Sequence, residues 1–486
     1  MTSGLTGRTA SELAALVRVG EVSAREVVLA HLERIDRRNG ALNAIVTLRA
    51  EEALSDADRL DRARRPASHL PLAGVPFTVK DLIATGGVRT TAGTPLLRDF
   101  VPAADATAVR RLREAGAILI GKTNCPEWGM FPYTRNTLFG ETHNPVDPSL
   151  TPGGSSGGES AAVADELSAM GVGTDFGGSL RWPAHCTGVL ALRPTAGRIP
   201  STGQLPTPSL DEPLIPNEVT LQGRVQVIGP LARSVDDLEL ALRLMAGPDG
   251  WDPFALPAAF EGDPAMPREG VAVWDGAASP ASRSDVVAVV RAAARALEGR
   301  GTRVTDEAPA MLEGAFALYG ELRDTDRLQD VRRIARGRED ELGDDVRAAI
   351  AAAEEYERRA SGREPAVLWE ERDRLRVEFE LYLNRHGVLL MPVATVPAYD
   401  PSGPPPPVDG AASQSMWDVL GPCRLISLFG FPAASVPFGA SDQGLPVGVQ
   451  VVGRPWREDQ VLAVARALMK ERGPLGYGRT MTEVDG

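Results

Sequence analysis

Two Gly-Gly-Ser turns, Gly153-Gly154-Ser155 and Gly177-Gly178-Ser179, constrain this chain more than any other feature. Between them, residues 159–170 are rich in Ala with Leu and Glu, which predicts a helix. Residues 170–174 form a short apolar run mixed with Gly, which predicts a strand. A strand–helix–strand layout can bring both Gly-rich loops to one edge of a sheet, where sites in α/β folds collect. Glycine lets a substrate carbonyl approach bare backbone N–H groups, and successive amides at 176–179 can converge on one point as an oxyanion hole does. One such turn would read as a linker. Two of them bracketing an ordered unit do not, and the Gly-Lys-Ser/Thr of a phosphate loop is absent.

The remaining strand signals fall at 77–79, 117–120, 271–274, 388–392, 433–436 and 447–452, with helical stretches between them. Thr9/Glu12 and Ser23/Glu26 each fit a capping box at the start of a helix, and a third helix is expected over 51–65. This alternation predicts a single α/β domain spanning 1–486, with a large mixed sheet covered by helices on both faces. The Ala/Arg/Glu/Leu-rich part of residues 250–385 reads as a helical insertion on the substrate side.

Composition narrows the function. The 486 residues carry a net charge of −13, which argues against broad affinity for nucleic acid. No apolar run reaches the length of a membrane span, and the start lacks the layout of a signal peptide. Three widely spaced cysteines suit a reducing compartment, so a cytoplasmic location is expected.

Five scattered histidines offer no metal-binding spacing, so neither metal nor cofactor is called for. A GxSxG elbow is missing, and His185, six residues after Ser179, reads better as a core residue than as a base. A serine nucleophile without histidine needs another base, and a neutral lysine is the usual alternative. Lys80 follows the strand at 77–79. A lysine there ordinarily snorkels to the surface, but buried it would lose its proton near neutral pH and serve as that base.

The chain resembles the amidase signature family through Gly153–Gly158, through residues 173–184, through Arg193-Pro194-Thr195, and through Gly74-Val75-Pro76 leading to Lys80-Asp81. The resemblance covers about residues 10–470. It implies the family's Ser-cisSer-Lys triad at Ser179 (nucleophile), Ser155 (proton relay, after a cis peptide) and Lys80 (base). Ser156 competes for the relay role and is read as its hydrogen-bonding support. The amides of Phe176, Gly177, Gly178 and Ser179 would hold the oxyanion, one donor being worth about 2.7–4 kcal/mol. Asp175 and Arg181 would brace the nucleophile loop, and Met130 and Phe131 would line the acyl pocket. Segment 211–226 is longer than usual in the family.

The activity implied is hydrolysis of a small, linear carboxylic amide to the acid plus ammonia or amine. Two alternatives stand beside it: the glutaminase-like A subunit of a tRNA-dependent amidotransferase, and a catalytically silent binding protein on the same scaffold. The partner expected is the amide substrate alone, with no membrane and no nucleic acid, and a homodimer is admitted. An aromatic or aliphatic amide is expected from Phe131, Tyr133, Phe176 and Trp182.

Overall fold

Strands that bury both faces need apolar side chains at every position, and 388–392 (Val-Leu-Leu-Met-Pro) is such a run. In the computed structural model, which describes residues 4–63, 69–211, 213–217, 219–258, 260, 265–276, 281–359, 363–408 and 414–472, it is an interior member of an eleven-stranded sheet, paired on both sides. In chain order the strands are β1 (Ile45–Leu48), β2 (Pro76–Lys80), β3 (Ile118–Thr123), β4 (Met170–Asp175), β5 (Leu190–Arg193) and β6 (Val227–Ala232). They continue as β7 (Val271–Val273), β8 (Val304–Thr305), β9 (Val388–Pro392), β10 (Ala433–Ala440) and β11 (Pro446–Val452). Their order across the sheet is β1-β3-β2-β4-β6-β5-β10-β11-β9-β7-β8. β2 runs parallel to β3 and β4, and β7 runs parallel to β8 and β9, while the remaining neighbours are antiparallel. The sheet is mixed, as expected.

Alternation along the strands sorts side chains to two faces. Val388 and Leu390 join Val271, Val273, Val449 and Val451 in one core, under the helices Ser284–Gly299 and Glu458–Glu471. Leu389 and Met391 join Ala272 in a second core, under the helices Ala315–Thr325, Pro365–His386 and Gly421–Phe429. Helices cover both faces. Truncating one of these leucines to Ala would cost about 2–5 kcal/mol.

The N-terminal helices α1 (Ala10–Val19) and α2 (Ala24–Leu42) both open on complete capping boxes, at Thr9 and Ser23. The third helix is Ala50–Asp61, and residues 64–65 of the expected span lie outside the described residues. The helix predicted over 159–170 is Gly157–Ala164, shorter and earlier. Its continuation is stopped by tertiary structure. Arg38 on α2 clamps the Asp165 carboxylate at 2.9 and 3.0 Å, and Glu166 turns left-handed with φ 61°. Ion pairing and turn geometry there override helix propensity.

The segment 250–385 is not a purely helical insertion. It contributes β7 and β8, which extend the sheet in parallel beyond β9. The strand expected at 271–274 is β7, whereas β8, only two residues long, is too short to stand out from the helical composition around it. Among the described residues, no helix is long and apolar enough to cross a membrane.

Candidate active site

Because β2 and β4 are parallel neighbours, with Val79 opposite Val172, their C-terminal ends open at the same edge. Lys80 ends β2, Thr174 and Asp175 end β4, and the loop 176–179 follows directly. The other Gly-rich loop reaches this edge by lying flat on its neighbours. A Cβ on Gly154 would stand 2.6 Å from backbone atoms of Phe131 and Tyr133, so only glycine allows that approach. The Gly154–Ser155 peptide is cis.

Lys80 does not snorkel; it is fully buried. Its Nζ donates to Ser155 Oγ at 2.6 Å and to Thr174 Oγ1 at 2.8 Å. Burial lowers its pKa to about 8, against the opposing pull of Cys125, Asp175 and Glu159. Ser155 is buried and Ser179 half-buried, and both line one cavity. Ser156, the alternative relay, is committed elsewhere. Its Oγ donates to Thr174 O at 3.1 Å, and its N–H donates to Ser179 O at 3.2 Å. It ties the two loops together.

Asp175 organises the loop 176–179. Its carboxylate accepts from the amides of Gly178 (2.9 Å) and Leu180 (3.1 Å), and from Arg181 Nε (3.0 Å) and Nη2 (2.8 Å). Arg193 Nη1 adds bonds to Asp175 O at 2.6 Å and Oδ1 at 3.2 Å. Burial alone would raise the carboxyl, but Arg181 and then Arg193 hold it well below the usual carboxylate range. One expectation changes here. The Gly178 amide, expected in the oxyanion hole, is occupied by Asp175, with Gly178 held at φ +121°. The amides of Phe176, Gly177 and Ser179 have no acceptor among the described residues.

Met130 and Phe131 line the cavity. They follow a turn in which Trp128 takes φ 56°, a left-handed value costly for a bulky side chain. Phe176 lines it too, but the other two expected aromatics do not. Trp182 is wholly buried in the helix Arg181–Thr187, donating to Pro132 O, and Tyr133 turns outward to Asp345 at 2.7 Å. Their places are taken by Trp128, Tyr319 and Trp417. Thr220, Gln222 and Gln226, from the long 211–226 segment, complete one side.

His185 is a core residue. Its Nδ1 accepts from Gly448 N at 3.1 Å, and burial lowers its pKa to about 4. Asp81 faces a second buried lysine, Lys122, at 3.5 Å rather than Lys80. Behind Lys80, the buried Glu159 accepts from Thr78 and from Thr123 (2.6 Å), and burial raises its pKa to about 7.

Thr174, Arg193, Glu159 and the Tyr319/Trp417/Arg424 wall are absent from the sequence reading. None of these was given a role there, although Thr174 lies within the motif at 173–184 and Arg193 within the Arg-Pro-Thr motif.

A hydroxyl held by a buried, weakly basic lysine, a second hydroxyl on the same cavity and three unpaired amides form a set suited to acyl transfer through serine. The Amidase family model matches residues 26–462. Indoleacetamide hydrolase of Bradyrhizobium diazoefficiens is 34% identical over 484 residues, covering 96% of this chain and 87% of that protein. The A subunit of the glutamyl-tRNA(Gln) amidotransferase of Synechococcus sp. strain CC9605 is 32% identical over 484 residues, covering 92% of each. The solved structure of 6-aminohexanoate cyclic dimer hydrolase with substrate superposes with a TM-score of 0.83 at 29% identity, over 98% of this chain and 99% of that one.

Proposed function

The chain belongs to the amidase signature family and hydrolyses amides, and we propose that it does so as a free-standing amidase of small linear amides, through an acyl-enzyme on Ser179. The observation that carries this reading is Lys80, fully buried, with Nζ 2.6 Å from Ser155 Oγ and a pKa brought down to about 8 by burial.

The Ser179 hydroxyl attacks the carbonyl carbon while its proton passes to Ser155 Oγ, whose own proton passes to neutral Lys80 Nζ. The carbonyl oxygen takes up negative charge between the amides of Phe176, Gly177 and Ser179. Collapse breaks the C–N bond, and the proton held by Lys80 returns through Ser155 to the leaving nitrogen. Water then repeats the sequence on the ester and releases the acid. Asp175, clamped by Arg181 and Arg193, keeps the three amides aimed without reorganisation during the reaction.

Intact-mass spectrometry after exposure to a fluorophosphonate tests this directly. A single adduct is expected on wild type, absent from Ser179→Ala and formed more slowly on Lys80→Ala. An adduct surviving Ser179→Ala would assign the reaction to another serine.

A second reading, the A subunit of a tRNA-dependent amidotransferase, is supported by the Synechococcus relative. It requires strict dependence on glutamine and a co-purifying partner. Turnover of several linear amides by the isolated chain would exclude it, and a panel including cyclic amides checks the linear assignment.

A further inference from the structure

The catalytic cavity contains a cation with no counter-ion among the described residues. Arg424, on the helix Gly421–Phe429, lines the cavity and is only 8% exposed. Its guanidinium forms no hydrogen bond or ion pair with any described residue, and its buried Nε has no acceptor. Aromatic faces surround it instead. The guanidinium carbon lies 4.5 Å from the ring centre of Trp417, 5.1 Å from that of Tyr319 and 5.9 Å from that of Phe316.

Among the described residues, the acids near it are engaged elsewhere. Asp324 pairs with Arg323 at 3.4 Å, and Asp418 caps its own helix through Ser415. Asp326 accepts from the amides of Leu221 and Gln222 at 2.8 and 3.0 Å, and Asp330 accepts from Asn217 at 3.0 Å. Arg323 adds a second positive group, 5.6 Å from the ring centre of Trp417. Arg424 also adjoins the loop 176–179, since a Cβ on Gly177 would stand 3.4 Å from its Cγ.

Burying an unpaired charge is costly, and cation–π contact offsets only part of that cost. A planar fork with free donors against the aromatic wall of a cavity fits a carboxylate bidentately. We propose that Arg424 is the counter-ion of a carboxylate on the substrate, so that the preferred substrates are amides that also carry a free carboxylate, their apolar body lying against Phe131, Phe176 and Trp417. This rests on the amidase reading above and names its substrate class. Within it, Arg424 determines specificity and takes no part in bond breaking.

The test uses matched amides in which a carboxylate is replaced by a methyl ketone: 4-carboxyphenylacetamide against 4-acetylphenylacetamide, and succinamic acid against 4-oxopentanamide. Wild type is expected to favour the carboxylate member of at least one pair by about 30-fold in kcat/KM, mostly through KM, the size of a charge-assisted hydrogen-bonded pair. Arg424→Met should bring that ratio to about 1, and Arg424→Lys should retain part of it. A merely structural role for Arg424 would lower both members alike and leave the ratio unchanged.

Calorimetry of the same amides on Ser179→Ala, and on Ser179→Ala with Arg424→Met, reads the site without turnover. Equal handling of both members by wild type, or carboxylate binding indifferent to Arg424, overturns the proposal while a fluorophosphonate adduct on Ser179 keeps the amidase reading. Arg424-dependent carboxylate binding without any adduct does the reverse.

Discussion

The cavity has a floor and a wall made in different ways. The floor is the end of β2 and β4 with the two Gly-rich loops, where Lys80, Asp175, Arg181 and Arg193 are fully buried and heavily hydrogen-bonded. The wall comes from distant parts of the chain: Phe131 after a strained turn, Tyr319 on the helix Ala315–Thr325, and Trp417 and Arg424 near 420. It is held by aromatic contacts and by scattered polar ties, among them the Glu127 carboxylate accepting from Gly343 N at 2.9 Å and Asp330 accepting from Asn217 at 3.0 Å. Rigidity belongs where charge develops in a reaction. Shape and a free cation belong where a substrate is chosen.

The division predicts a graded series of losses. Ser179→Ala should lower kcat by about 10⁵-fold or more with no change in urea midpoint, and a smaller loss would mean that chemistry is not confined to the floor. Asp175→Asn leaves two buried guanidinium groups without their anion and should cost about 3–5 kcal/mol in urea unfolding; a loss below about 1 kcal/mol would show the floor to be softer than its hydrogen bonds suggest. On the wall, Phe131→Ala should lower kcat/KM for aromatic amides by about 10- to 30-fold, chiefly through KM. A loss in kcat alone would erase the distinction.

The pH profile sharpens it further. Lys80 must be neutral to accept a proton, so kcat/KM should rise with pH along an acid limb centred near 8, about tenfold per unit below it. Cys125, Asp175 and Glu159 are the groups that pull this value up, and the buried Lys122 also lies near Glu159. Glu159→Gln removes one source of negative charge and should move the limb to lower pH, whereas Trp417→Phe on the wall should leave it in place. At the small end, Arg338→Ala, breaking an exposed pair with Glu341, should leave the urea midpoint unchanged within error.

The floor was legible in the sequence because it is built from local signals. Gly154 and Gly178 mark backbone that no other residue could follow, and Lys80 ends a short apolar strand. What the sequence concealed was pairing across the sheet. Thr174 shares Lys80 with Ser155 only because β2 and β4 are parallel neighbours in one register, and the Gly178 amide is lost to Asp175 only through the fold of that loop. The wall was read least well. Tyr133 and Trp182 are as aromatic as Phe131 and Phe176, and nothing local tells which ring faces the cavity and which the core. Arg424 sits in a helix whose other buried side chains are mostly apolar, and its meaning depends on the nearby described acids being engaged elsewhere, which only three-dimensional structure shows.

The outermost strands of the sheet are brief: β1 has four residues with a register shift, and β8 has two. An exposed edge is a template for another chain, and a sheet this wide would be hazardous with long, flat borders. Here a newcomer could add only a few ladder bonds at either side. Association by continuing the sheet is therefore disfavoured, whether into orderly pairs or into fibrillar aggregates, and any pairing of two copies would have to use their helical surfaces.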